Sequence, residues 1–409
     1  MEPQSNRSSS RHHPALADGE VVMKVAVYDL YWSTYGGGEQ VDAAIAECLA
    51  RAGHSVTLLG PHPVDAEMMR RRLGRDLSGC DYRQVRDDDE ASAASADVDL
   101  FINGTYLSTA VNRARWGMYY VHFPEVPATR RQRTTQMVAA AGYRMLAGRS
   151  QLPPALSGVR DGLARRRRDV RWVQSYTTVC ANSGYTAQWV ERLWPCAAEV
   201  LYPPVEPIVG RAVSERSGIV SVGRFFDRRF GHCKKQDVLL DAFCSIEADG
   251  ADDIALSLVG GADGQSRDYV LGLRRAAVGH NIDVRVNVTR DEVIDRLSAA
   301  ALFWHAGGIG EDSARHPDRF EHFGIAVVEA MSAGCVPMVF GAAGPAEIVR
   351  DGIDGIHWHT VAELTEATRA LLADPQRLEQ MSIAARERAR QYSIDEFDTA
   401  LSATVDRLN

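Results

Sequence analysis

No stretch of this sequence carries the roughly 18 consecutive apolar residues that a membrane-crossing helix needs, so no membrane span is expected. The first 22 residues, MEPQSNRSSSRHHPALADGEVV, lack the apolar centre of a signal peptide and read as a disordered polar leader on a cytoplasmic protein. A basic excess is missing too. With 46 Lys and Arg against 54 Asp and Glu, the formal net charge of −8 argues against a nucleic-acid partner. The seven cysteines contain no CxxC pair and no zinc-ligand spacing, and an odd, scattered set fits free thiols in a reducing compartment. Cys180 and Cys335 stand in apolar runs and read as small buried hydrophobes. Nor does an Asp-x-Asp pair follow a strand, as a metal-diphosphate site would require: Asp97-x-Asp99 precedes its strand.

What is present is ample apolar material, 45% of 409 residues, arranged as strands alternating with helical stretches. That alternation predicts parallel α/β architecture, and the length predicts two domains. In the first half, Val22–Tyr28, Ser55–Gly60, Val98–Ile102, Met118–Phe123, Val179–Asn182 and Glu199–Tyr202 read as strands, with a helix over EQVDAAIAECLARAG. In the second, strands are expected at Ile219–Val222, Ile254–Val259, Val284–Val288, Leu302–Trp304 and Val336–Phe340. Helices are expected over 236–246 and 267–278, and from Val361 onward. The stiff segment Tyr202-Pro203-Pro204-Val205-Glu206-Pro207 reads as the connector. The predicted division is therefore a leader over 1–22, one Rossmann-like domain over 23–205 and a second over 206–390, with a last helix over 391–409. Residues 83–96, polar and acidic, read as a loop. The basic stretch 128–171, with Arg165-Arg166-Arg167-Arg168, reads as a solvated face or as a patch for an acceptor phosphate or membrane surface.

Four clusters carry chemistry, each where a strand gives way to a loop or helix. In Glu321-His322-Phe323-Gly324-Ile325-Ala326-Val327-Val328-Glu329, a loop carries Glu321 into a helix that holds Glu329 two turns in. The amides of Gly324 and Ile325 at its start suit an anion. In Val222-Gly223-Arg224-Phe225-Phe226 and His232-Cys233-Lys234-Lys235-Gln236, a strand-end arginine and a helix-opening lysine can converge on one pyrophosphate. Gly36-Gly37-Gly38, between strand and helix, lets backbone amides approach a phosphate. His122, in Tyr119-Tyr120-Val121-His122-Phe123-Pro124, reads either as a satisfied strand-edge group or as a hydrogen-bonding partner for a sugar hydroxyl.

Together these clusters resemble glycosyltransferase family 4, the retaining enzymes of the GT-B fold, over about residues 23–400 and most specifically from Trp304 to Gly344. EHFGIAVVEAMSAGCVPMV is similar to the family's E-x7-E region, and GRFF with KKQDVLLDAF to its phosphate-binding Arg and Lys. Lys235 stands where many relatives have glycine. The GGG-E and VH-P arrangement is similar to that of eukaryotic mannosyltransferases that extend lipid-linked oligosaccharides. The resemblance implies two Rossmann-like domains facing across a cleft, with the C-terminal helix crossing back. It implies a GDP- or UDP-sugar donor, GDP-mannose among them, and a glycan, lipid-linked or small-molecule acceptor, with at most peripheral membrane contact. Arg224, Lys234, Glu321 and His122 take catalytic roles by this reading. Gly37, Gly38, Phe323, Gly324, Ile325, Glu329 and Lys235 bind the donor, and neither metal nor cofactor is expected. A sugar phosphorylase, a nucleotide-sugar epimerase and a nucleotide-sugar-binding scaffold are the alternatives.

Overall fold

The computed structural model describes residues 22–125, 170–208, 216–227, 233–248 and 254–408. Residues 1–21 of the expected leader and the Arg165–Arg168 run lie outside them. Two parallel sheets organise the chain. The first comprises β1 (Lys24–Tyr28), β2 (Ser55–Gly60), β3 (Asp81–Gln84), β4 (Leu100–Asn103), β5 (Trp116–Val121), β6 (Thr178–Ala181) and β7 (Glu199–Val200), in the order β3-β2-β1-β4-β5-β6-β7. The second comprises β8 (Ile219–Val222), β9 (Leu256–Gly260), β10 (Ile282–Val286), β11 (Leu302–His305), β12 (Val336–Phe340) and β13 (Ile356–Trp358), in the order β10-β9-β8-β11-β12-β13. Each order reverses once, between β1 and β4 and between β8 and β11. A doubly wound sheet opens a ligand crevice at such a point.

Burial explains why the strands read so clearly. Val25, Ala26, Val27 and Tyr28 of β1 are all buried, because helices cover both faces of a parallel sheet. The helix Gly37–Arg51 covers one face with Val41, Ile45 and Leu49, packed against Val25, Val27 and Val56. In the second domain, Trp304 and Trp358, both wholly buried, pack with Leu239, Phe243 and Leu364. Cys180 and Cys335 are buried as expected, and burial pushes both thiols up to about 12.

Residues 83–96 are not a loop. They hold the end of β3 and the helix Asp88–Ala94, which Asp87 caps by accepting from Glu90 N. Acidic residues are stabilising at a helix N-terminus, where the unsatisfied amides lie, so this run marks a helix start. β3 escapes the sequence pattern because Asp-Tyr-Arg-Gln forms an edge strand with little buried surface. β13 escapes because it is only three residues long.

The domains are joined twice. Residues 201–208 lead out of the first sheet, and the chain returns through Tyr392–Ser393 into the helix Ile394–Asp406. That helix puts Phe397, Leu401 and Val405 into the first domain's core. The two crossings touch, with Val205 N donating to Tyr392 O at 2.8 Å.

Candidate active site

Glycine geometry builds the site on the first domain. Gly36 caps the helix Gly37–Arg51, and its amide donates to Glu39 Oε2 at 2.6 Å. A Cβ on Gly37 would lie 3.0 Å from Ile325 Cδ1 of the other domain, and one on Gly38 would lie 3.3 Å from the His122 ring. The turn thus wedges between the second domain and the residue that follows β5. His122 Nε2 lies 2.9 Å from Gly104 O. A carbonyl only accepts, so Nε2 carries the hydrogen and Nδ1 of the neutral ring is an acceptor. Burial lowers the pKa of His122, against the opposing pull of the Gly104 hydrogen bond and Glu39.

Across the cleft, β8 delivers Gly223 and the exposed Arg224, whose guanidinium lies 4.6 Å from the Phe226 ring centroid. Gly223 leaves room for the stem of Lys234, since a Cβ there would lie 2.8 Å from Lys234 Cγ. Lys234 Nζ pairs with Glu321 Oε2, and His305 Nε2, at the end of β11, lies 3.5 Å from the same oxygen. Lys235 diverges from its neighbour. Its backbone is left-handed (φ 55°), its side chain is buried, and its Nζ lies 2.5 Å from Glu311 Oε1. Arg319 reaches Glu311 as well, at 3.0 Å. Desolvation would raise the pKa of Glu311, but these hydrogen bonds and charges hold it below the usual range.

Gly324 adopts φ 119° and caps the helix Ile325–Ala333, which opens facing the Gly37 turn. Close packing fixes the loop before it. A Cβ on Gly344 would lie 2.4 Å from His322 O and 2.5 Å from Phe323 Cα, and Gly344 N donates to Glu321 O at 3.0 Å. The Phe323 ring is buried, with ring centroids of Tyr202 and Tyr392 at 5.9 and 5.5 Å, so any part it takes in donor binding falls to its backbone. Glu329 is buried and ion-paired with Arg290, Nη2 to Oε1 at 2.6 Å.

The sequence reading missed Arg290, His305, Glu311, Arg319 and Glu347. Arg290 carried a local signal, since it opens a helix capped by Thr289 directly after β10. Glu347 accepts from Gly184 N at 2.9 Å and Tyr185 N at 3.3 Å, and it also bonds Tyr202 OH. It thereby caps a first-domain helix from the second domain. Asp97 and Asp99 are occupied by Arg83 and by Lys24 N, each at 2.8 Å. An Asp-x-Asp pair does follow a strand, contrary to expectation: Asp87-x-Asp89 comes after β3, where Asp87 caps the helix Asp88–Ala94 by accepting from Glu90 N. Among the described residues, Cys244, Glu247 and His280 bring possible metal-ligand atoms within 4.8 Å of one another. Cys244 and Glu247 stand in the later turns of the helix Gln236–Ala248, and His280 comes from the turn before β10, too distant in sequence to form a spacing motif.

Two parallel α/β domains facing each other, with a glycine turn of one against a helix start of the other, define the GT-B class of glycosyltransferase folds. The fold matches that of Anabaena HepE solved with UDP (TM-score 0.68, 17% identity, 94% of this chain and 100% of that one). It also matches sucrose-phosphate synthase of Thermosynechococcus elongatus (TM-score 0.63, 17% identity, 94% and 98%). Within it, residues 215–388 match the family Glycosyl transferases group 1. Curated relatives include a GDP-Man:Man(3)GlcNAc(2)-PP-Dol alpha-1,2-mannosyltransferase of Dictyostelium discoideum, 27% identical over 54% of this chain and 45% of that protein. Another is the GDP-mannose-dependent alpha-(1-6)-phosphatidylinositol monomannoside mannosyltransferase of Mycolicibacterium smegmatis, 28% identical over 90% of this chain and 86% of that protein. The chain spans about half the length of the Dictyostelium relative and others of its kind.

Proposed function

We propose that the protein is a retaining glycosyltransferase that moves a hexose from a GDP- or UDP-sugar, GDP-mannose foremost, to a hydroxyl of a glycan, lipid-linked or small-molecule acceptor. The observation that carries this reading is the Lys234–Glu321 pair, with His305 beside it, at the seam where Ile325 meets Gly37. A cation and a carboxylate that neutralise each other before substrate arrives are released together by a glycosyl diphosphate. The diphosphate takes Lys234, and the sugar hydroxyls take Glu321. Arg224, exposed on the same domain, adds a second cation for the departing group.

The chemistry is attack by the acceptor hydroxyl at the anomeric carbon, on the face that the diphosphate leaves. The anomeric C–O bond breaks with its electron pair going to the diphosphate, the new glycosidic bond forms, and the hydroxyl proton passes to a phosphate oxygen. Glu321 positions the ring, His122 bonds the sugar, and Glu329 bonds the ribose once Arg290 yields. The amides of Gly38, Gly324 and Ile325 help hold the diphosphate. Lys234 and Arg224 supply the positive charge, so no divalent cation is required in this scheme.

The test is thermal shift with UDP, GDP, ADP and dTDP, followed by turnover of the matching sugar donors in the presence and absence of EDTA. Binding of one diphosphate with EDTA-resistant transfer and retained anomeric configuration is expected. Loss of transfer in EDTA would reject the metal-free scheme. Release of sugar 1-phosphate by phosphate alone, or donor turnover without acceptor, would replace it with a phosphorylase or an epimerase.

A further inference from the structure

Behind the Gly36–Gly38 turn, outside every role assigned above, three buried carboxyl groups gather. Asp29 follows β1, while Glu39 and Asp42 stand on the first turns of the helix Gly37–Arg51; they are 2%, 8% and 0% exposed. Glu39 is satisfied by Gly36 N, and Asp29 Oδ1 accepts from Tyr31 N at 2.9 Å. Asp29 Oδ2 and both carboxyl oxygens of Asp42 have no hydrogen-bond partner among the described residues. Nor does any described ion pair neutralise one of the three with a Lys or Arg.

The Asp42 carboxyl occupies the space that a side chain on Gly104 would need. A Cβ there would lie 1.7 Å from Asp42 Oδ1 and 2.2 Å from Cγ. Gly104 follows β4, its amide donating to Tyr28 O at 3.1 Å and its carbonyl accepting from His122 Nε2. Asp42 therefore sits directly behind the peptide that holds His122. A carboxylate with no counter-charge and no donor is strongly disfavoured in such surroundings, whereas the protonated acid is not.

We propose that Asp42 is a positioning residue that works as a neutral acid: its uncharged carboxyl packs against Gly104 and so fixes the His122 ring at the cleft. This rests on the reading of His122 given under the proposed function. The groups facing Asp42 reinforce neutrality. Asp29 from the end of β1 and Glu39 from its own helix repel a charge on it, while Tyr119, Tyr120 and His122 from β5 and its end offer no lasting positive one. Burial, then Asp29 and Glu39, raise Asp42 well above the ordinary carboxyl range. Burial and Glu39 raise Asp29 to about 7.

The sign of the effect follows. A carboxyl whose pKa is raised by folding binds its proton more tightly in the native state, so it erodes stability as pH climbs from the ordinary carboxyl value towards the folded one. Asp42→Asn mimics the neutral acid and removes that erosion. Melting temperatures of wild type, D42N and D42A are compared from about pH 5.5 to about pH 8.5, with donor turnover over the same range. D42N is expected to gain on wild type in melting temperature as pH rises. It is expected to keep turnover within about threefold at neutral pH and to extend it at alkaline pH, where D42A loses about tenfold or more. A melting gap that stays constant or narrows overturns the proposal, as does a D42N enzyme as impaired as D42A. Absence of turnover with every donor, in wild type as well, would instead sink the transferase reading, and the melting gap would still decide the charge of Asp42.

Discussion

Lys234 and Lys235 are adjacent and chemically identical, yet a left-handed backbone at Lys235 sends one to Glu321 and the other to Glu311. Their substitutions should therefore fail in different ways. Lys234→Ala, like Arg224→Ala, removes a charge-assisted contact to the diphosphate worth about 1.5–3 kcal/mol, so kcat/KM should fall about 10- to 100-fold. Lys235→Ala breaks a buried pair. It should cost about 3 kcal/mol of stability, the low end for such a loss, because Arg319 still neutralises Glu311. Equal turnover in K234A and wild type would remove Lys234 from the chemistry. His122 makes a third case. Burial lowers its pKa, so the ring is neutral throughout the neutral range and charges only below its ordinary value of about 6.5. If the neutral ring is the working form, the acid limb of kcat/KM lies below that value, and a limb at higher pH belongs to another group.

The strands and glycine turns were legible because a parallel sheet buried on both faces writes continuous apolar runs: β1, β8 and β12 stand out for that reason. The polar edge strand β3 and the three-residue β13 carry no such run. The helix Asp88–Ala94 hides behind acidic residues that belong at its N-terminus. In the candidate site, Glu321, Glu329, Arg224 and Lys234 stood out by their places at strand ends and helix starts and by the family resemblance. Their partners did not: Arg290, His305 and Glu311 arrive from other strand ends, and only the folded sheet makes them neighbours. Gly344 shows what such packing demands. Its missing Cβ is the space filled by His322 O and Phe323 Cα, both backbone. Gly344→Ala must displace the Glu321 loop, costing about 1–3 kcal/mol. The melting temperature should fall by several degrees and nucleotide affinity should weaken with it. Unchanged affinity would show that the loop position is not needed for binding.

Across the whole molecule, the last helix ties the fate of the first core to residues at the far end of the sequence. Leu401 is wholly buried among first-domain residues, and Leu401→Ala should cost about 2–5 kcal/mol. Calorimetry should register that loss in the first domain's transition, although the substitution lies beyond the family match at 215–388. A shift confined to the second domain's transition would contradict the shared core. Glu347 acts at the seam itself, capping the helix Gly184–Leu193 from the opposite domain. Glu347→Ala should raise the radius of gyration of the ligand-free protein in solution scattering, and an unchanged scattering curve would count against this brace. The touching crossings at Val205 and Tyr392 have a mechanical consequence. A lobe hung on two strings tied at one point swings more readily than it slides. Were the cleft to open and close, the motion would be a rotation about that point.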